Sequence, residues 1–173
     1  MDIDPRYEKA LNHALGEMGL SLEDLQYLKF DEFRTRPRVG RKLQEYTLRK
    51  LEAGADFVVT QLFFDVRDYF ELVDWLREHG CTKPVITGVL PIQSFKSLRR
   101  VLSMCGASIP AKLYLELEEA DRKGGAEAVR KVGIDFAVDQ ITRLIMGGAP
   151  GIHLYTLNKA DLCLQIAREA GIG

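Results

Sequence analysis

Apolar and polar positions along this chain fall into two alternating kinds of run. Residues 57–64, F-V-V-T-Q-L-F-F, are apolar except for Thr60 and Gln61. A short run rich in β-branched and aromatic residues, flanked by turn residues, predicts a strand buried on both faces. Residues 84–90 and 152–158 predict a second and a third strand. The segments between them carry apolar residues at helical spacing. One helix is expected over 42–52, with Leu43, Leu48 and Leu51 inward. Asp65 opens the next, in which Tyr69, Phe70, Leu72, Val73 and Leu76 pack and Gly80 ends the run. Ser94 caps a helix carrying Phe95, Leu98, Val101 and Leu102. Ile109-Pro110 starts another, with Leu113, Leu115 and Leu117. A long helix is expected over 126–146, interrupted at Gly133, and a last one over 160–170, stopped by Gly171.

The first forty residues read differently. Pro5 begins a helix with Ala10, Leu11, Ala14, Leu15 and Met18 on one stripe, and Gly19 stops it. Ser21 caps a second helix with Leu22, Leu25 and Leu28 inward. Arg34, Arg36, Pro37 and Arg38 follow as a basic connector, read as a solvated loop with a phosphate contact as the functional alternative. The chain therefore divides into a helical segment and linker at 1–40 and a β/α domain at 41–173. Strands alternating with helices predict an α/β fold with a parallel sheet.

Gln61 is the residue to explain. An amide inside a buried run is costly unless it is hydrogen bonded, so it either bonds to backbone or faces a ligand cavity. In parallel sheets ligands sit at the carboxyl ends of the strands. Gln61 and Asp65, Gly88 and Gln93, and Tyr155, Asn158 and Lys159 all fall near such ends. Asp65 and Asn158 read equally well as helix caps. No Gly-rich nucleotide fingerprint follows any strand, no nucleophile elbow is present, and no metal-ligand cluster appears. His13 has only Glu17 near it at ligand spacing and reads as a surface histidine.

Composition narrows the class. The chain has 173 residues, enough for one domain with a core, and a net charge of -1. That balance predicts neither nucleic acid nor membrane as partner. No apolar run reaches the ~20 residues needed to span a bilayer. The opening Met1-Asp2-Ile3-Asp4-Pro5 has no signal-peptide pattern. Cys81, Cys105 and Cys163 are odd in number and widely spaced, which predicts idle reduced thiols and a cytoplasmic protein.

Four segments carry a resemblance. G-A-D-F-V-V-T-Q-L-F-F-D at 54–65 resembles the G-A-D-F-x-x-T-Q-x-F-F-D segment of methylenetetrahydrofolate reductases. P-V-I-T-G-V-L-P-I at 84–92 is similar to their P-I-x-P-G-I-L-P-I. P-G-I-H-L-Y-T-L-N-K at 150–159 resembles their P-G-x-H-F-Y-T-L-N-R, and V-G-I-D-F-A at 132–137 their G-I-x-x-A. The likeness covers 42–173. It implies the last three units of a (β/α)8 barrel of TIM type, with FAD above the carboxyl ends of the strands. It further implies transfer of a hydride from NAD(P)H through the flavin to methylenetetrahydrofolate, a step of one-carbon metabolism leading to methionine biosynthesis. Gln61 would face the ring shared by folate and nicotinamide. Tyr155 and Leu157 would line that pocket, and Lys159 would stand where many members have arginine, without the planar fork. Lys50, with Arg49 beside it, would sit where a basic residue helps hold FAD.

The chain also departs from that pattern. Residues 1–40 resemble neither the family's E-F-F-P-P-R segment, which holds its catalytic glutamate, nor its L-R-G-D segment, which grips the flavin. Leu43 stands where an acid for FAD is expected, and Thr87 where a proline is expected. The catalytic acid is therefore unassigned, with Asp65 the nearest carboxylate at a strand end. Three strands are too few to close a barrel, which takes about eight. A homo-oligomer, or a second chain completing the barrel, is expected. The alternative is a non-catalytic subunit or partner-dependent fragment of such a barrel.

Overall fold

The computed structural model of the chain describes Gly16, the pair Leu28–Lys29 and residues 40–172. Gly16 is helical, within the first expected helix; the rest of that helix and the basic connector at 33–39 lie outside the described residues. Leu28 is not helical. Strand β1, Leu28–Lys29, pairs in parallel with β4, Ile109–Pro110. The partner that overrides the helical spacing at Leu28 lies some eighty residues further along the chain.

The main sheet is built from β2 (Val58–Leu62), β3 (Val85–Val89) and β5 (Ile152–Leu154), all parallel and in the order of the chain. Helix α1 (Arg41–Glu52) precedes β2, α2 (Val66–Glu78) follows it, α3 (Phe95–Cys105) follows β3, and α5 (Ala160–Glu169) follows β5. Between β4 and β5 runs α4 (Ala111–Met146). Adjacent parallel strands in sequence order, each followed by a helix, are consecutive β/α units of a barrel, and the described part is a partial (β/α)8 arrangement.

Local chemistry sets most boundaries as expected. Asp65 caps α2 by accepting the Arg67 N–H at 3.0 Å. Ser94 caps α3 by accepting the Ser97 N–H at 3.2 Å, and Gly106 ends it in the left-handed region at φ 62°. Helix α4 is two legs joined at Gly125, whose φ of 60° and ψ of -152° no helix contains. Gly133 does not break it. A Cβ there would collide with the Ile92 carbonyl and come 2.9 Å from Ile92 Cβ, so glycine permits the second leg to lie against the chain beyond β3.

Two clusters form the core. One places Val85, Val89, Leu76, Ile141, Leu144 and Ile166 between the sheet and helices α2, α4 and α5. The other gathers Leu62, Phe64, Leu90, Phe95, Leu102, Tyr114 and Leu117 between the strand exits, α3 and the first leg of α4. Leu43 joins neither and is 55% exposed, because α1 turns Gln44, Thr47 and Leu51 inward. One position along a helix rotates a side chain by about 100°, enough to move Leu43 off the buried stripe.

Two strand expectations also change. Among the described residues β2 is an edge strand with one packed face. Val59 and Gln61 are exposed on it, and Phe57 just before it is 57% exposed. Apolar composition alone does not tell a strand covered on both faces from an edge strand with one face open. β5 stops at Leu154 instead of running to Asn158, because Leu157 and Asn158 adopt φ of 45° and 62°, which no strand accommodates.

Candidate functional site

The carboxyl ends of β2, β3 and β5 meet at an irregularity in β2. Val58 and Val59 pair with Val85 and Ile86, but Leu62 pairs with Gly88. Thr60 and Gln61 therefore stand opposite the single residue Thr87, which is a β-bulge. Such bulges re-aim side chains and are common next to active sites. Thr60 turns in and is 9% exposed, whereas Gln61 turns out.

Side chains supply the hydrogen bonds that the bulge disturbs. Thr60 Oγ1 accepts the Gly88 N–H at 2.9 Å, and the Tyr155 hydroxyl donates to the Thr60 carbonyl at 3.0 Å. Gln61 Oε1 accepts the Leu62 N–H at 3.2 Å. Its carbonyl is thereby held on its own backbone, and its Nε2 has no acceptor among the described residues. The cost of an amide in this run is met by backbone bonding and exposure together. The donor end is the part of Gln61 available to a ligand.

Gly88 makes room for this arrangement. A Cβ at that position would collide with the Thr60 carbonyl and lie 2.8 Å from Tyr155 Cε2. The Tyr155 ring thus lies against bare backbone, with the His153 ring edge-on to it at 4.6 Å. His153 pairs laterally with Gly88 and is exposed.

The chain then turns sharply. The Lys159 N–H donates to the Thr156 carbonyl at 2.8 Å, closing a turn whose central residues, Leu157 and Asn158, both have positive φ. Both central residues at positive φ make a type I′ geometry, which favours Asn and Gly. Asn158 suits it and Leu157 does not. The N-cap of α5 is Lys159, without a side-chain bond, so Asn158 serves the turn and not the helix cap. Leu157 lines a recess of about 110 Å³ with Leu90, Pro91, Ile92, Gln93 and Val101. Lys159 lines an open groove of about 810 Å³ between α4 and α5. Gln93 borders both. Arg130, Lys131 and Lys159 share the groove with Glu127, Asp135, Asp161 and Glu169, so its field has no single sign.

Asp65 is not a free acid. It is 6% exposed, and both its oxygens are engaged by Arg67, Oδ1 with Nε at 2.9 Å and Oδ2 with the terminal nitrogen at 2.7 Å. It serves as cap and ion-pair partner. Arg49 and Lys50 lie in the last turn of α1. Arg49 sits over the Tyr46 ring at 6.0 Å and lines a shallow groove with Glu45, Trp75 and His79. The structure groups Gln61 with Tyr155 through Thr60, and Leu157 with Lys159 through Gln93; it does not bring Arg49 and Lys50 to either pair.

Two polar side chains of this region escape a reading of the sequence. His153 sits in a strand among apolar neighbours with nothing to mark its face. Gln140 is 2% exposed, and its Nε2 donates to the Phe63 carbonyl at 2.8 Å. An amide on the buried stripe of Gly133, Ala137, Ile141 and Leu144 is the signal that could have found it. Among the described residues no group of three or more His, Cys, Asp or Glu could hold a metal ion, and no helix is long and apolar enough to cross a membrane. Cys81 and Cys163 are buried and Cys105 is exposed, all as free thiols.

Comparison with known proteins bears on this geometry. Methylenetetrahydrofolate reductase (NADH) 1 of Arabidopsis thaliana is 35% identical over 127 residues, which are 73% of this chain and 21% of that protein. A probable methylenetetrahydrofolate reductase (NADPH) of Caenorhabditis elegans is 36% identical over 128 residues, 73% of this chain and 19% of that protein. The 5,10-methylenetetrahydrofolate reductase of Escherichia coli is 33% identical over 124 residues, 72% of this chain and 41% of that protein. The chain thus spans about a fifth of the length of the plant and nematode relatives and two fifths of the bacterial one. A solved structure of an uncharacterized Clostridium thermocellum protein, described as binding two copies of 5-methyl-5,6,7,8-tetrahydrofolic acid, aligns with a TM-score of 0.49 at 18% identity. It covers 75% of this chain and 47% of that one. The family profile for methylenetetrahydrofolate reductase matches residues 34–171. With four fifths of its length under that match, the chain belongs to the methylenetetrahydrofolate reductase family.

Proposed function

We propose that this chain forms the ligand-facing wall of a methylenetetrahydrofolate reductase. In this reading it works with FAD and NAD(P)H in reducing methylenetetrahydrofolate to methyltetrahydrofolate. The observation that carries the proposal is the bulge at Thr60–Gln61, which leaves the Gln61 donor amide exposed one residue beyond the Thr60 carbonyl that the Tyr155 hydroxyl holds. Gln61 would donate to a carbonyl or ring nitrogen of the folate or nicotinamide ring. Tyr155 and Leu157 would pack against that ring, and Lys159 would meet an anionic group of the substrate. Arg49 and Lys50 would contact FAD from the end of α1. Bound flavin would supply the hydride chemistry; the chain's own residues bind and orient.

The division into a 1–40 segment and a 41–173 β/α domain belongs to the same reading, as does a cytoplasmic location. The sheet face bearing Gln61 also exposes Phe57 and Val59, at 57% and 39%. That exposure favours completion of the barrel by a second copy or a second chain, since apolar faces of parallel sheets are normally covered. It equally supports the second reading, a binding subunit active only with its partner.

Titration of the full chain with FAD, followed by flavin fluorescence, and with 5-methyltetrahydrofolate by calorimetry tests the proposal. Saturable binding that weakens in Gln61→Ala is expected, and NAD(P)H oxidation would separate the enzyme from the binding subunit. Absence of binding of either compound, to the chain at concentrations where it self-associates, would refute it.

A further inference from the structure

Gln140 lies on the second leg of α4, 77 residues from the carbonyl it binds. That carbonyl belongs to Phe63, the first residue after β2, where the chain has left the ladder and no strand partner satisfies it. Gln61 lies two residues upstream. The backbone of the bulge is tied at Thr60 from β3 and from Tyr155. Beyond Gln61 the ladder pair Leu62–Gly88 holds the strand, and at Phe63, the next residue, the Gln140 amide holds it from α4. The rings on either side add no hydrogen bond: Phe63 stacks on Tyr69, and Phe64 packs against Phe136.

We infer that Gln140 is a positioning residue: by holding the Phe63 carbonyl it sets the direction in which the bulge presents Gln61. This rests on the reading that Gln61 contacts the ligand. A tie on each side of a bulge removes the freedom of the extra residue to slide along the strand. A one-residue slip would turn Gln61 to the packed face. With the tie at Phe63 gone, the single pair Leu62–Gly88 is left to hold the far side of the bulge, and the segment from Gln61 onward can shift. The amide of Gln140 suits this task because it carries a donor without a charge, so it can be buried at low cost once that donor is used.

Gln140→Met tests this, since it keeps the length of the side chain and removes the donor. Amide hydrogen exchange of the full, unliganded chain should show faster exchange in residues 61–65, with Val85–Val89 protected as in the parent. Uniform acceleration across the sheet, or no change at 61–65, would overturn the inference. A second measurement uses the double-mutant cycle with Gln61→Ala, read as the dissociation constant for 5-methyltetrahydrofolate. Gln140→Met should weaken binding roughly tenfold, about the effect of one misplaced hydrogen bond, and should add nothing in the Gln61→Ala background. Independent, multiplying losses would mark Gln140 as merely structural and overturn the inference. If the parent chain does not bind the compound, the proposed function fails and the exchange result alone decides the role of Gln140.

Discussion

Leu157 holds a positive φ of 45° with a side chain 61% exposed, in a turn that favours glycine or asparagine. Left-handed backbone costs a residue with a Cβ about 1–2 kcal/mol. The buried part of the side chain, roughly two fifths, returns about 0.6–1.2 kcal/mol by area. Leu157→Ala and Leu157→Gly both remove that packing, and they differ in the backbone. At an ordinary position alanine is the more stable of the two by about 0.5–1 kcal/mol, through the entropy of the unfolded chain. Here relief of strain acts the other way, so glycine should be more stable than alanine by roughly 0.5–1 kcal/mol. Leu157→Asn, which tolerates the left-handed region without glycine's entropy, should equal or exceed the glycine variant. Urea unfolding at 25 °C, read by circular dichroism with a common m-value, measures all three. Alanine matching or exceeding glycine would refute the argument that the turn is strained. If the variants gain stability and lose affinity together, the strain is kept for the contact that Leu157 makes.

Three other outcomes follow from packing and burial. Gly88→Ala places a methyl against the Thr60 carbonyl and the Tyr155 ring, and should cost about 1–3 kcal/mol in urea unfolding while freeing the tyrosine hydroxyl; an unperturbed midpoint would contradict the close approach. Burial raises the Tyr69 phenol above its ordinary 10.0, with the Arg77 charge opposing, so the folded form stays neutral where the unfolded chain ionises. Stability from this group is complete below that ordinary value and falls as pH rises beyond it. Tyr69→Phe should lose about 1 kcal/mol at neutral pH with the bond to the Val85 carbonyl, yet decline less between neutral pH and the alkaline range; parallel declines would exclude the effect. Burial also raises the Cys163 thiol, so a thiol reagent on the native chain should label Cys105 quickly and Cys81 and Cys163 only on unfolding; prompt labelling of all three would overturn the burial.

Strands β2 and β3, the caps at Asp65 and Ser94, and the helices between them were legible because each is written in a single stretch of chain. The leucines of α1 suggest a stripe that includes Leu43, while the docking of α1 on α2 selects Gln44, Thr47 and Leu51. Gly133 looked like a breaker because its reason, the Ile92 carbonyl, lies forty-one positions away. The bulge belongs to two strands at once, so no reading of β2 alone contains it. Gln61 and Tyr155 could be singled out as residues, but the link between them runs through a Thr60 carbonyl, and a backbone atom leaves no letter in the sequence. Leu28 shows the same limit: its strand exists through Ile109.

Phe63 and Phe64 are consecutive, yet their rings enter different cores. The exit of β2 is therefore riveted to both sides of the molecule at one point. With the Gln140 bond to the Phe63 carbonyl in place, a thermal fluctuation that shifts this segment must also loosen two packed regions, so in the parent chain its amplitude is tied to melting of the whole and not to local fraying. Warming should leave the orientation of Gln61 nearly constant until the chain unfolds, and ligand affinity should then fall abruptly near the melting temperature with little decline before it.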